Sequence, residues 1–216
     1  MSTSLDQLIN SRRSIRKYKP EAPPPEWIES MVRAAAMAPS PSNSRPVRFI
    51  RIIDAGVRNR LHQVMEDGWK QIMDALVETG SHRRLQNRVN TYYRFSEFMF
   101  TAPVLFAVGA ADTGPTLAQR LRTAGVDKEE HGRQRDVDIT VGMAVNTMIL
   151  KGEELGLGSC ILTMPLFFMN HAESKSTETI LKMEDMTVRC FVTVGYPDEI
   201  PAEIDRKEFF EIYREL

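Results

Sequence analysis

Cysteine is scarce in this chain: Cys160 and Cys190 are the two among 216 residues. Two thiols cannot build a disulfide framework, and both lie in apolar stretches that suit small buried hydrophobes. The four histidines, His62, His82, His131 and His171, are scattered without metal-ligand spacing and read as surface residues. No apolar run is long enough to span a bilayer, and the N-terminus has no signal-peptide core. A cytoplasmic protein with no membrane partner is expected. Charge of one sign is also lacking, with 28 Lys and Arg against 29 Asp and Glu for a net −1. That balance argues against nucleic acid as a main partner, because binding the phosphate backbone needs a broad basic surface. Neither a Gly-x-Ser-x-Gly elbow nor a Walker loop is present. Gly156-Leu-Gly-Ser-Cys160 is glycine-rich but follows a helical stretch and lacks the full dinucleotide fingerprint, so a Rossmann reading fails.

What is present is a local knot of positive charge. Residues 12–19 read Arg-Arg-Ser-Ile-Arg-Lys-Tyr-Lys, five basic positions of eight. Guanidinium forks match phosphate oxygens bidentately, so Arg12, Arg13 and Arg16 around the Ser14 hydroxyl suit a phosphate cradle. A solvated basic turn is the plainer alternative at this point.

The pattern of elements predicts an α+β fold read as one domain over 1–216, a small and mostly antiparallel sheet flanked by helices. Ser4 to Gln7 fits a capping box ahead of Leu5, Leu8 and Ile9. Ile28, Met31, Val32, Ala35 and Ala36 recur at helical spacing until Pro39 ends the run. Residues 39–46, Pro-Ser-Pro-Ser-Asn-Ser-Arg-Pro, form a loop by every local rule. Val47 to Ile53 reads as a strand. Asp54 caps a helix carrying Leu61, Val64, Met65, Ile72 and Met73, and the basic, aromatic segment 82–100 is predicted helical. Pro103 to Ala110 reads as a buried strand. Residues 112–134 are polar and are expected to form a mobile loop or lid. Ile139 to Leu155 is the most apolar predicted helix, ended by Gly156 or Gly158, and its face suggests burial against a second copy. Ser159 to Leu162 is extended. Val188, Cys190, Val192 and Val194 alternate as one face of a strand. Asp136 and Asp138 suit a helix N-terminus, and most of the twelve methionines suit core filling.

No nucleophile or acid–base pair stands out. A phosphate cradle without a catalytic constellation fits a cofactor enzyme, because the cofactor can supply the chemistry.

Four motifs in order then carry a resemblance: Arg12-Arg-Ser-Ile-Arg16, Ala38-Pro-Ser-Pro-Ser-Asn-Ser-Arg-Pro46, Leu155-Gly-Leu-Gly-Ser-Cys160 and Val194-Gly-Tyr-Pro197. Together they resemble the nitroreductase family of flavin enzymes along almost the whole chain. The resemblance implies a homodimer with FMN at the subunit interface and NADH or NADPH as electron donor. It implies a small organic acceptor, such as a nitroaromatic or a quinone, reduced in two half-reactions. On that likeness Arg12, Arg13, Ser14 and Arg16 hold the FMN phosphate, ribityl hydroxyls and polar ring edge. Pro39, Ser40, Pro41 and Asn43 match the stretch that the partner subunit lays against the flavin. Ile161, Leu162, Thr163 and Met164 match the segment passing the reactive face, where a backbone N–H fits Thr163 best. Arg206 matches a second phosphate-binding arginine, with Lys207 a weaker substitute. No residue is implied to act as a catalytic acid or base.

The chain departs from the family where Arg45-Pro46-Val47 replaces Gln-Pro-Trp, and where Thr163 or Met164 replaces a common glycine. Trp69 and Tyr92-Tyr93 suit either the pocket or the core. Ala38-Pro-Ser-Pro41 and Arg45-Pro-Val-Arg-Phe49, with Met65 to Trp69 and Ala102-Pro103, are similar to one branch. That branch is the FMN-binding C-terminal reductase domain of the deazaflavin-coenzyme ligase, which suggests a dehydro precursor as an alternative acceptor. A flavin-binding oxidase or ring-fragmenting enzyme is the other alternative.

Overall fold

The computed structural model describes residues 4–112, 114, 117–126, 133–172, 177–183, 185–201 and 213. In chain order these form α1 (Leu5–Ser11), α2 (Pro25–Ala35), β1 (Val47–Arg51), α3 (Ala55–Glu78), α4 (Arg83–Glu97) and β2 (Val104–Ala111). They continue through α5 (Leu117–Thr123), α6 (Arg133–Glu154), β3 (Gly158–Leu162), α7 (Met164–Met169), α8 (Thr177–Leu181) and β4 (Met186–Gly195). The four strands make one sheet in the order β1-β2-β4-β3, and every ladder is antiparallel.

The two central strands are buried on both faces, which is why β2 reads as a continuous apolar run. One face of β2, Val104, Phe106 and Val108, packs with Met31 of α2 and with Val145 and Met148 of α6. The other face, Leu105 and Ala107, packs with Leu61 and Met65 of α3, Tyr93 of α4 and Phe168 of α7. Helices therefore cover both sides of the sheet. The capping box at α1 is closed as its sequence predicts, with Ser4 N–H donating to Gln7 Oε1 at 2.8 Å and Gln7 N–H to Ser4 Oγ at 3.2 Å. Asp54 accepts from Val57 N–H at 2.7 Å and opens α3.

Several expectations need correction. Val188 does not share a face with Cys190, Val192 and Val194: it joins the α3 side while they join the α6 side. The pairing of β2 with β4 steps from Val108↔Cys190 to Gly109↔Val188, leaving Arg189 as the extra residue of a bulge. One inserted residue reverses the alternation. Gly109 is required there, since a Cβ would lie 2.3 Å from Thr187 O. The segment 112–134 is not all loop, because α5 occupies Leu117–Thr123 and α6 begins at Arg133 rather than Ile139. β1 ends at Arg51, although Ile52 N–H still donates to Leu105 O at 2.8 Å. The apolar face of α6 is already covered within the chain, where Val141, Ala144, Val145, Met148 and Ile149 are buried. What α6 leaves outward is a narrower stripe that includes Ile139, Gly142 and Asn146.

Candidate flavin site

The arginine segment is pinned to the free edge of β3. Ser14 forms a parallel bridge with Ser159, and Ile15 N–H donates to Ser159 O at 3.0 Å. Ile15 is buried against Gly158, where a Cβ would come within 2.5 Å of the Ile15 side chain. Lys17 to Lys19 then pair with the chain that leaves β4. Lys19 N–H donates to Tyr196 O and Asp198 N–H to Lys17 O, each at 2.9 Å. Gly195 makes room for this, since any Cβ there would lie 2.9 Å from the Tyr18 ring. The Val194-Gly-Tyr-Pro197 motif thus has a physical reason beside its family likeness.

Tyr18 locks the segment from inside. Its hydroxyl donates to Ile15 O at 2.6 Å and lies 2.8 Å from Thr193 Oγ1. Burial pushes the phenol well above its usual pKa, so it stays a neutral donor. Glu199 closes the outer side: its Oε1 accepts from Lys17 N–H at 3.1 Å and from Arg16 N–H. Nothing in the sequence distinguished Glu199 from any acidic residue of a polar tail, because its role comes from pairing across 182 positions.

The three arginines of the knot are not equivalent. Arg13 turns back on α1, where its guanidinium donates to Asn10 O at 2.7 Å, Arg12 O at 2.9 Å and Ser11 O at 3.3 Å. It satisfies carbonyls that the helix end leaves without partners. Arg12 makes no side-chain hydrogen bond or ion pair among the described residues, and Arg16 reaches only Ser14 O at 3.4 Å. Both influence Cys160, whose thiol is raised by burial and pulled back by Arg16, Ser14 and Arg12. Arg12, Ser14, Arg16 and the start of β3 are therefore one cluster. Two guanidiniums with no ion-pair partner among the described residues, beside a hydroxyl, suit a dianionic phosphate.

The same edge leads to the other predicted segment. Leu162 is buried, whereas Ile161 is 44% exposed and Thr163 opens α7 at the surface. Ile161 and Thr163 line a hollow of about 470 Å³ with Asp138, Gly142, Asn170 and Arg189. Met164 and Leu166 pack into the α3-side core. The Arg12–Arg16 cluster and exposed Ile161 thus lie along one strand, β3.

The loop carrying Pro39, Ser40, Pro41 and Asn43 lines a different hollow, of about 340 Å³, where Ser40 and Arg45 meet Thr140 and Ala144 of α6. Three non-glycine residues in it adopt left-handed backbone: Ser42 at φ 51°, Asn43 at 53° and Arg45 at 46°. Such strain persists only where other bonds impose it. Here Arg45 N–H donates to Ser40 Oγ at 2.9 Å and Arg45 Nε to Asn43 Oδ1 at 3.1 Å. Within one chain this loop does not join the Arg12–Arg16 cluster through any of these contacts. Arg206 and Lys207 lie outside the described residues, as do His131 and residues 202–212.

Other candidates resolve to structural roles. Trp69 stacks on Tyr93 at 4.7 Å and donates from Nε1 to Asn90 Oδ1 at 2.9 Å, so both are core aromatics. His62 stacks on Phe100 at 4.6 Å, and His171 Nδ1 pairs with Phe167 O at 2.8 Å. No group of three metal-ligating side chains occurs among the described residues. No described helix is long and apolar enough to cross a membrane.

A four-stranded antiparallel sheet with helices on both faces, and a basic segment clasped to its edge strand, define an α+β class. The chain belongs to the nitroreductase family, whose pattern matches residues 9–196, and is thereby an FMN-dependent oxidoreductase. It is 25% identical to the iodotyrosine deiodinase of Thermotoga neapolitana over 214 residues, 97% of each chain. The match to iodotyrosine deiodinase 1 of Sus scrofa is local, 30% identical over 102 residues, 47% of this chain and 35% of that protein. Among solved structures, a BluB-like flavoprotein from Clostridium difficile 630 superposes with a TM-score of 0.79 at 21% identity over 99% of both chains. Oxidised iodotyrosine deiodinase bound to FMN and 3-iodo-L-tyrosine superposes with a TM-score of 0.70 at 24% identity, over 99% of this chain and 100% of that one.

Proposed function

We propose that the chain binds FMN with the phosphate at Arg12, Ser14 and Arg16 and the ring over Ile161 to Met164. In this reading NADH or NADPH is the donor and a small organic molecule the acceptor. The observation that carries it is the Ser14–Ser159 bridge, which sets Arg12 and Arg16, without an ion-pair partner among the described residues, alongside the strand that carries exposed Ile161. Bound FMN supplies the uptake and release of the electrons. The chain's own residues bind and orient. Arg12 and Arg16 neutralise the phosphate, Arg206 adds a third cation, and Ile161 offers an apolar platform. On the family likeness a backbone N–H near Thr163 would donate to the reactive nitrogen, and donors at the polar ring edge would favour negative charge there. Neither half-reaction requires a protein acid.

The second half of the site comes from a partner subunit in this reading. Pro39, Ser40, Pro41 and Asn43 of one protomer complete the pocket of the other, in a single-domain homodimer in the cytoplasm. The separation of this loop from the arginine cluster within one chain supports that assignment, and its imposed strain supports a binding role. An absorbance spectrum of purified protein, followed by anaerobic titration with NADH and with NADPH, tests the reading. A colourless preparation that takes up no added FMN ends it.

The end-to-end match to a deiodinase favours a second reading for the acceptor, a halogenated phenol reduced with loss of halide. Single-turnover mixing of the reduced protein with 3-iodotyrosine, a quinone, a nitroarene and the deazaflavin dehydro precursor ranks the acceptors. Reduced flavin that reacts with none of them and is itself consumed in air would favour the ring-fragmenting alternative.

A further inference from the structure

Helix α4 takes no part in the site above, yet the sequence marks it as basic and aromatic. Arg83, Arg84, Arg88 and Arg94 are all exposed, and none makes a side-chain hydrogen bond or ion pair among the described residues. The helix has one carboxylate, Glu97 at its end, and that group faces His62 at 3.6 Å. Four unpaired cations on fifteen residues stand out in a chain of net charge −1.

The inner face of α4 is fully used. Tyr93 and Ser96 are buried, with Tyr93 between Trp69 and Phe168. The outward face carries Phe95, 58% exposed, in one row with Tyr92 and Leu85, at 42% and 47%. The spacing i, i+7, i+10 aligns the three, and Arg88 at i+3 lies in the same row. A single exposed Leu needs no explanation. A row of three large apolar side chains among unpaired guanidiniums is an interaction surface. None of the hollows described above is lined by α4. Exposed guanidiniums beside an exposed apolar row complement an anionic lipid layer, whose phosphates pair with the cations while its acyl boundary takes the apolar side chains.

We propose that α4 is a peripheral contact for an anionic lipid surface. The guanidiniums meet the headgroup phosphates, while Phe95, Tyr92 and Leu85 enter the boundary between headgroups and acyl chains. The expectation of no membrane partner rested on the absence of a spanning run, which does not bear on surface contact. The lipid anion alone attracts the arginines, and the apolar row adds affinity that salt does not screen.

Flotation of the flavin-loaded protein with vesicles tests this, using phosphatidylcholine alone and phosphatidylcholine mixed with phosphatidylglycerol. Binding is expected only to the anionic vesicles and is weakened by added salt. Replacing Arg84, Arg88 and Arg94 together by alanine lowers partitioning roughly a hundredfold. Phe95→Ser lowers it about tenfold while leaving the salt dependence of what remains. Circular dichroism and flavin content of both variants match the parent. Failure of the parent protein to float with anionic vesicles overturns the proposal, as does an arginine variant that floats like the parent. Retention by poly-glutamate without vesicle binding assigns the face to an acidic protein instead. Dissociation of the dimer in the arginine variant assigns it to a second copy. Either result also overturns the lipid reading.

Discussion

Substituting the three arginines one at a time separates two roles that the sequence presents as one. Arg12 is half-buried and without a partner among the described residues, so it can give a phosphate a charge-assisted bond at the upper end of the range. Its loss is worth about 2–3 kcal/mol, roughly 30- to 150-fold in FMN dissociation constant. Arg16 is exposed and lies at the lower end, about 1.5 kcal/mol or roughly tenfold. Arg13 instead holds the carbonyls of Asn10, Ser11 and Arg12. Arg13→Ala is therefore expected to lower stability by about 1 kcal/mol, a Tm decrease of about 2–4 °C, with little change in FMN affinity. Quenching of flavin fluorescence on titrating apoprotein gives the affinities, and a thermal melt of the same apoprotein gives the stabilities. The reasoning is refuted if Arg13→Ala loses FMN as badly as Arg12→Ala, or if Arg12→Ala binds like the parent.

Three further outcomes are expected. Glu199→Ala frees the backbone donors of Arg16 and Lys17, and FMN should bind about 5- to 30-fold more weakly for a loss of about 1–2 kcal/mol. Glu199→Gln keeps an acceptor and should recover most of that loss in the same titration. Gly68→Ala places a Cβ 1.8 Å from Phe168 O, so α3 and α7 must part. A destabilisation of about 1–3 kcal/mol follows in a urea melt, with slower turnover because α7 begins next to Thr163. Burial raises the Cys190 thiol from 9.0 to about 12. A raised thiol stabilises fully below the unfolded value, and that contribution fades as pH climbs from about 9 towards 12. The unfolding free energy read from urea melts should fall over that range by up to about 1.4 kcal/mol per pH unit, and more shallowly in Cys190→Val.

The candidate site stood out in the sequence where a motif carries a local physical signature. Arg-Arg-Ser-Ile-Arg announces an anion cradle through charge alone, and the proline-rich loop announces itself through residues that cannot continue a helix. The apolar runs of β2 and α6 identified the core elements, since burial on both faces removes any alternation. What failed was local pattern where tertiary pairing overrides it. Val188 alternates with Cys190 on paper, but the bulge at Arg189 turns it to the other face. Residues 117–123 look like loop because the short helix α5 has no strong apolar stripe. Arg13 looks like Arg12 because residue type does not say which way a guanidinium turns. Glu199 and Tyr18 were invisible because their partners, Lys17 and Thr193, are distant in sequence and close only after folding.

The sequence alone determined the composition-level facts: an α+β chain, a knot of basic residues, a proline-rich loop, and the order of motifs that marks a nitroreductase. These follow from residue chemistry and near-neighbour spacing. Tertiary structure alone decided that Arg13 turns back on α1 while Arg12 has no partner among the described residues, and that the knot runs beside the strand carrying Ile161. It also decided that Glu199 and Tyr18 hold the segment in place, and that the bare side of α4 carries arginine and aromatic side chains. The physical reason is common to all of them. Direction, burial and pairing belong to positions in space, and a residue acquires them when the chain closes distances that its own spacing leaves open.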